Sequence, residues 1–134
     1  MSPGKLPHGF HYGFATASFQ IEGATSEDGR APSIWDEFSR TPGKTLDGVG
    51  GDVTTDSYHR YKEDIAILKS LGATSYRISL SWSRIIPLGG AGDPINAKGI
   101  EYYNAVIDEL LKNGITPFLV CTFAVPFLAS HPYH

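Results

Sequence analysis

Residues 56–81, DSYHRYKEDIAILKSLGATSYRISLS, change from a helical to a strand periodicity across a single glycine. Tyr58, Tyr61, Ile65 and Leu68 recur at spacings of 3, 4 and 3 on one face, with Arg60, Lys62, Glu63 and Lys69 off that stripe. This predicts a helix from about Asp56 to Leu71, with Gly72 as its C-terminal stop. Beyond it, Tyr76, Ile78 and Leu80 alternate with Ser75, Arg77, Ser79 and Ser81. A period of two predicts a strand over 75–81 with one apolar and one polar face.

Working outward, Pro87, Gly89, Gly90, Gly92 and Pro94 form a loop, and Asn96 is placed to cap a second helix. Ile100, Tyr103, Ile107, Leu110 and Leu111 make its expected apolar face, and Gly114 ends it. A third strand, about Ile115 to Phe123, is almost wholly apolar, as expected when protein covers both faces. On the other side, His11 to Ala15 reads as a short aromatic first strand. A long polar connection follows it, in which only Ser33 to Phe38 looks helical. The order is β, α, β, α, β, which suits either a doubly wound parallel sheet or a (β/α)8 barrel. Thr16 to Gln20 stand where a dinucleotide fold wants G-x-G-x-x-G, and no G-x-x-x-x-G-K-[ST] exists, so a phosphate cradle is not expected.

Composition narrows the class. With 134 residues, 41% hydrophobic, the chain has the size of one domain. A net charge of −3 provides no basic footprint for nucleic acid or anionic membrane. No apolar run approaches the roughly 20 residues of a membrane span. MSPGKLPHGF lacks an apolar signal core, and Cys121 is the only cysteine, so a cytoplasmic location without disulfides is expected.

Three residues are candidates for chemistry. Gln20 stands where the first strand gives way to a loop, and its amide offers the donors and acceptors that a polyhydroxylated ligand needs. Trp35 follows in a second apolar block and presents a face for a sugar ring or for packing. Arg77, on the polar side of the second strand, would point into a barrel, where a guanidinium needs a carboxylate. Asp52, Asp56 and Glu22 are possible structural partners for it, the alternative to a functional role.

FQIEGA (19–24), EDGRAPSIWDEF (27–38), PGK (42–44), GDVTTDSYHRYKEDI (51–65), SYRISLSWSRIIP (75–87) and NAKGIEYYNAVIDELLKNGITPF (96–118) together resemble the opening third of a family 1 glycoside hydrolase of the intracellular fungal β-glucosidase type. The resemblance implies an incomplete TIM barrel comprising about the first three strands and two main helices. It implies a tail at 1–8, the barrel portion at 9–118 and a divergent C-terminal tail at 119–134. It also implies hydrolysis of terminal β-linked glucosyl residues with retention, on a β-glucoside or oligosaccharide substrate, without cofactor or metal. By the same resemblance Gln20 binds hydroxyls of the terminal sugar, and Arg77 stands beside the nucleophilic carboxylate, holding it ionised. Trp35 and Trp82 match family positions and are expected mainly to pack.

The sequence departs from that family after ITPF. Where members carry a His-Trp pair whose His contacts the sugar, this chain has Phe123 and Ala124. His131 and His134 form an H-x-x-H without the third ligand a metal needs. Retention requires two carboxyl groups about 5 Å apart, and the family's Asn-Glu-Pro and Glu-Asn-Gly motifs that carry them are both missing here. Glu22, Asp36, Glu37 and the remaining carboxylates read as loop or helix-surface residues. The expectation is a truncated product, from a retained intron or a frameshift near residue 119. Such a chain would be marginally folded and inactive alone, or else a non-catalytic sugar-binding or barrel-complementing module.

Overall fold

The computed structural model describes residues 7–122. Its elements are β1 (Gly13–Ala15), α1 (Ser18–Ile21), α2 (Ile34–Arg40), a 3-10 turn (Leu46–Gly48), α3 (Ser57–Ser70), β2 (Ser75–Ser81), α4 (Trp82–Ile85), α5 (Ala97–Lys112) and β3 (Thr116–Thr122). The three strands form one parallel sheet in the order β1-β2-β3. Gly13 pairs with Ser75, and β2 and β3 run in register from Ser75 opposite Thr116 to Ser81 opposite Thr122.

The helices form where the periodicity places them. Asp56, in a left-handed conformation, opens α3, and Gly72 (φ 75°) lets the chain leave it; Gly114 (φ 73°) does the same for α5. Asn96 occupies the N-cap position of α5, but its side chain donates to the carbonyls of Asp28 and Arg84 instead of capping the helix. The core lies between the helices and one face of the sheet. Ile65 and Leu68 of α3, Val106 and Leu110 of α5, Tyr76 and Ile78 of β2, and Ala73 and Ile115 at the strand entrances pack together there. Each large apolar side chain so buried contributes roughly 1.5–3 kcal/mol.

Four expectations need correction. The first strand is shorter than His11 to Ala15, because among the described residues it has only one neighbour to bond, and all three of its residues are exposed. Ser18–Ile21 is a helical turn, not loop. The buried face of α5 is Gly99, Tyr103, Val106 and Leu110, while Ile100 and Leu111 are exposed. This rotation follows from Gly99, which lets the helix backbone approach Arg84 closely. Finally, β3 is not covered on both sides, since Phe118, Leu119 and Val120 are all exposed. Phe118 and Val120 lie on the face of Arg77, which is exposed, and of Ser79, which is buried, while Leu119 stands opposite Ile78 on the other face, so β3 is open on both.

Candidate functional site

The end of β1 gathers the residues of interest. The chain turns into α1 there, with the amide of Ser18 donating to Ser79 Oγ at 2.7 Å and that of Gln20 to the Ala17 carbonyl at 2.9 Å. Gln20 is exposed on this turn. Arg77 is also exposed, and its Nη1 donates to the Thr16 carbonyl at 3.2 Å. The two sequence candidates are thus brought to one end of one strand. None of the suggested partners takes Arg77: among the described residues Glu22 pairs with Arg84, Asp56 with His59, and Asp52 with Arg40.

Beside Gln20 opens a cleft of about 550 Å³ between α1, α2 and the 45–54 loop. Its walls include Phe19, Trp35 and Phe38. The Trp35 ring lies between the other two, with centroids 6.4 and 6.0 Å away, and Trp35 remains 46% exposed. For a residue expected mainly to pack, that is an open face. Trp82 opens α4, and its indole donates to the Gly89 carbonyl at 3.1 Å.

Beneath this surface lies a polar node that sequence reading missed. Glu22, expected on the surface, is buried directly after α1. Its Oε2 accepts from Arg84 Nε at 3.1 Å and its Oε1 from the Tyr103 hydroxyl at 2.6 Å, which in turn accepts from the Ser81 amide at 2.7 Å. The Arg84 guanidinium sits 4.1 Å above the Tyr58 ring centroid, and its Nη1 has no hydrogen-bond partner among the described residues, so the ring face supplies part of its compensation. Burial pushes the Glu22 carboxyl above its ordinary pKa, against the pull of Arg84 and Tyr103. Burial and the Glu22 charge raise the Tyr103 phenol well above its usual value. One local signal existed: Arg84 stands inside the apolar block Trp82 to Ile86, where an unpartnered cation would be costly.

Asp36 is the second correction, buried at the start of α2. Its Oδ2 accepts from the Ser33 amide at 2.6 Å, the Ser33 hydroxyl at 2.7 Å and Arg30 Nη2 at 2.9 Å. The carboxylates of Glu22 and Asp36 are therefore each committed to an arginine. Among the described residues no group of His, Cys, Asp and Glu could hold a metal ion, and no helix is long and apolar enough to cross a membrane. Phe123, Ala124, His131 and His134 lie outside the described residues.

A parallel β1-β2-β3 order is compatible with either sheet architecture, and comparison with known proteins decides between them. The chain is 63% identical to beta-glucosidase 1B of Phanerodontia chrysosporium over 117 residues, 87% of this chain and 22% of that protein. The glycoside hydrolase family 1 β-glucosidase of the fungus Humicola insolens, solved in complex with glucose, superposes with a TM-score of 0.87 at 60% identity over 90% of this chain and 26% of that one. The family 1 β-glucosidase of Thermotoga maritima gives the same TM-score at 49% identity, over 93% and 28%. The chain thus spans about a quarter of the length of these relatives, and its sheet is the first part of an incomplete (β/α)8 barrel. The glycosyl hydrolase family 1 model matches residues 2–127, the β1 turn and the buried node included, and the chain belongs to that family.

Proposed function

We propose that this chain is the N-terminal portion of a retaining β-glucosidase, supplying sugar recognition and support for the nucleophile, and that alone it hydrolyses nothing. The whole protein would remove terminal non-reducing β-D-glucosyl residues without cofactor or metal. The observation that carries this reading is Arg77, exposed on β2, tied to the end of β1 through Thr16 and paired with no carboxylate among the described residues. A guanidinium so placed lowers the pKa of a carboxylate brought within a few ångströms and keeps it anionic for attack on the sugar. Gln20 is exposed on the adjoining turn, and its amide has the donors and acceptors that the hydroxyls of a terminal glucose need.

Retention needs two carboxyl groups about 5 Å apart, one acting as acid/base and one as nucleophile. Glu22 and Asp36 cannot form that pair, because each is buried and bonded to its own arginine. The test is an assay of the purified 134-residue chain on an aryl β-glucoside, with a control for host enzyme. No chromophore release is expected, and release that survives the control would overturn the reading.

The exposure of Gln20 beside an open cleft favours a second reading, a sugar-binding module without catalysis. Calorimetry with glucose and cellobiose tests it. Heat of binding that Gln20→Ala abolishes would support this alternative.

A further inference from the structure

We propose that Asp47 is a site of self-modification, where the backbone nitrogen of Gly48 attacks the Asp47 carboxyl group and the residue isomerises to isoaspartate. The product lengthens by one backbone atom the loop that walls the Gln20 cleft, whatever reaction the chain takes part in.

Asp28-Gly29, Asp47-Gly48 and Asn113-Gly114 each set an Asp or Asn before a glycine, the neighbour whose missing Cβ hinders such an attack least. The structure ties the side chains of the first and the last. Asp28 Oδ2 accepts from the Tyr58 hydroxyl at 2.8 Å and its Oδ1 from Lys98 Nζ at 2.6 Å. Asn113 Nδ2 donates to the carbonyl and to Oε1 of Glu109, both at 2.9 Å. Asp47 has no such tie among the described residues. It is exposed between Leu46 and Val49, themselves 86% and 70% exposed, and a Cβ on Gly48 would meet nothing within 4 Å. Asp47 and Gly48 are also both left-handed, with φ of 56° and 70°. Rotation that brings the Asp47 carboxyl to the Gly48 nitrogen therefore breaks no side-chain bond and leaves a backbone conformation that is unfavourable for a residue with a Cβ.

In the first step the bond from Gly48 N to Asp47 Cγ forms as a C–O bond of the protonated carboxyl breaks, and the amide hydrogen departs with that hydroxyl as water. One water then opens the cyclic imide. Opening at the Asp47 main-chain carbonyl gives isoaspartate, and nothing is oxidised or reduced. Thr45, Val49 and Gly50 of this loop wall the cleft together with Gln20 and Trp35. The added atom thus enters the backbone between Thr45 and Val49.

The test incubates the full 134-residue chain near neutral pH, in buffer and in concentrated urea, and follows isoaspartate at each site by electron-transfer fragmentation of its peptides. Asn and Asp differ in intrinsic rate, so each site is compared with itself in the unfolded chain. Folding is expected to leave the rate at Asp47 nearly unchanged and to slow Asp28 and Asn113 by about tenfold or more, a factor equivalent to about 1.4 kcal/mol of holding. Lys98→Met should raise the rate at Asp28 severalfold and leave that at Asp47 as it was. Acrylamide quenching of tryptophan emission should change as isoaspartate accumulates in the parent and stay constant in Asp47→Glu, whose longer side chain does not close the same ring. Slowing of Asp47 by tenfold on folding would overturn the inference, as would Asp28 and Asn113 reacting as fast folded as unfolded. Isoaspartate at residue 47 with unchanged quenching would overturn its reach to the cleft.

Discussion

The Nε of Arg84 donates to Oε2 of Glu22 over 3.1 Å, with the two side chains 0% and 5% exposed, and this pair fastens the connection after β1 to the connection after β2. Glu22 follows α1 directly, two residues from Gln20, whereas Arg84 belongs to α4 beyond β2. Tyr103 of α5 closes the arrangement by donating to the same carboxylate. Three elements far apart in sequence thus meet on one charge beneath the turn that presents Gln20.

Removing either partner alone, as in Arg84→Met or Glu22→Leu, is expected to cost about 3–5 kcal/mol, because the survivor stays charged in the interior. The double variant should cost less than the sum of the singles, since neither charge remains. Urea titrations followed by circular dichroism supply the cycle. Single variants that shift stability by less than about 1 kcal/mol, the range of surface pairs, would contradict the node's role.

How much of this was legible in the sequence depended on range. The alternation of Tyr76, Ile78 and Leu80 with serines and Arg77 is a property of neighbouring residues, and β2 runs over the expected 75–81. The stripe through Ile65 and Leu68 is likewise local, and both residues are buried. Glu22 was misread because its partners, Arg84 and Tyr103, lie 62 and 81 residues away. Nothing in QIEG distinguishes a buried carboxylate from a solvated one. The face of α5 was misjudged for a related reason: a search for apolar side chains passes over Gly99, whose missing Cβ sets how the helix sits. Gln20 and Arg77 could be picked out by residue type and by resemblance, but only the fold shows that both reach the end of β1.

Asp36 should govern part of the acid limb of stability. Burial pushes its carboxyl up, but the Ser33 hydroxyl and amide and the Arg30 guanidinium outweigh this and hold it below the ordinary aspartate value. With the folded pKa below the unfolded one, its contribution is full above about pH 3.9 and is lost as pH falls through the folded value. Asp36→Asn is expected to lower stability at neutral pH by about 3 kcal/mol and to flatten the loss below about pH 4. Urea midpoints across that range check both; an unchanged acid limb would refute the assignment.

His59 should act in the opposite sense. Its ring bridges Asp56 Oδ1 at 2.7 Å and Glu27 Oε2 at 3.1 Å, joining the start of α3 to the loop before α2. The Asp56 hydrogen bond raises its pKa most, desolvation opposes it, and the Asp56 charge with the hydrogen bond and charge of Glu27 leave the net shift upward. The stabilisation is therefore present below about pH 6.5, the unfolded value, and is lost as pH rises through the folded one. Titration of the ring by NMR should give a midpoint above that of a model histidine. His59→Gln should erase this part of the pH dependence; a midpoint at or below the model value would refute the bridge.

Gly99→Ala tests how α5 is seated. In an exposed helix interior the change stabilises by about 1 kcal/mol. At Gly99, a new Cβ would lie inside the contact radius of the Arg84 carbonyl oxygen, which also accepts from Asn96 Nδ2 at 2.9 Å. The carbonyl is backbone and fixed by that bond, so α5 must move away, drawing Tyr103 from Glu22. We expect a loss of about 1–3 kcal/mol instead of a gain, the usual range for overpacking. Gly92→Ala is the control, since a Cβ there meets nothing within 4 Å, and its effect should stay within about 0.5 kcal/mol. Tyr103 links the clash to the node, so its phenol should titrate nearer its ordinary value in Gly99→Ala than in the parent, read by ultraviolet difference absorbance. A stabilised Gly99→Ala with an unchanged phenol would show that the helix does not depend on this close approach.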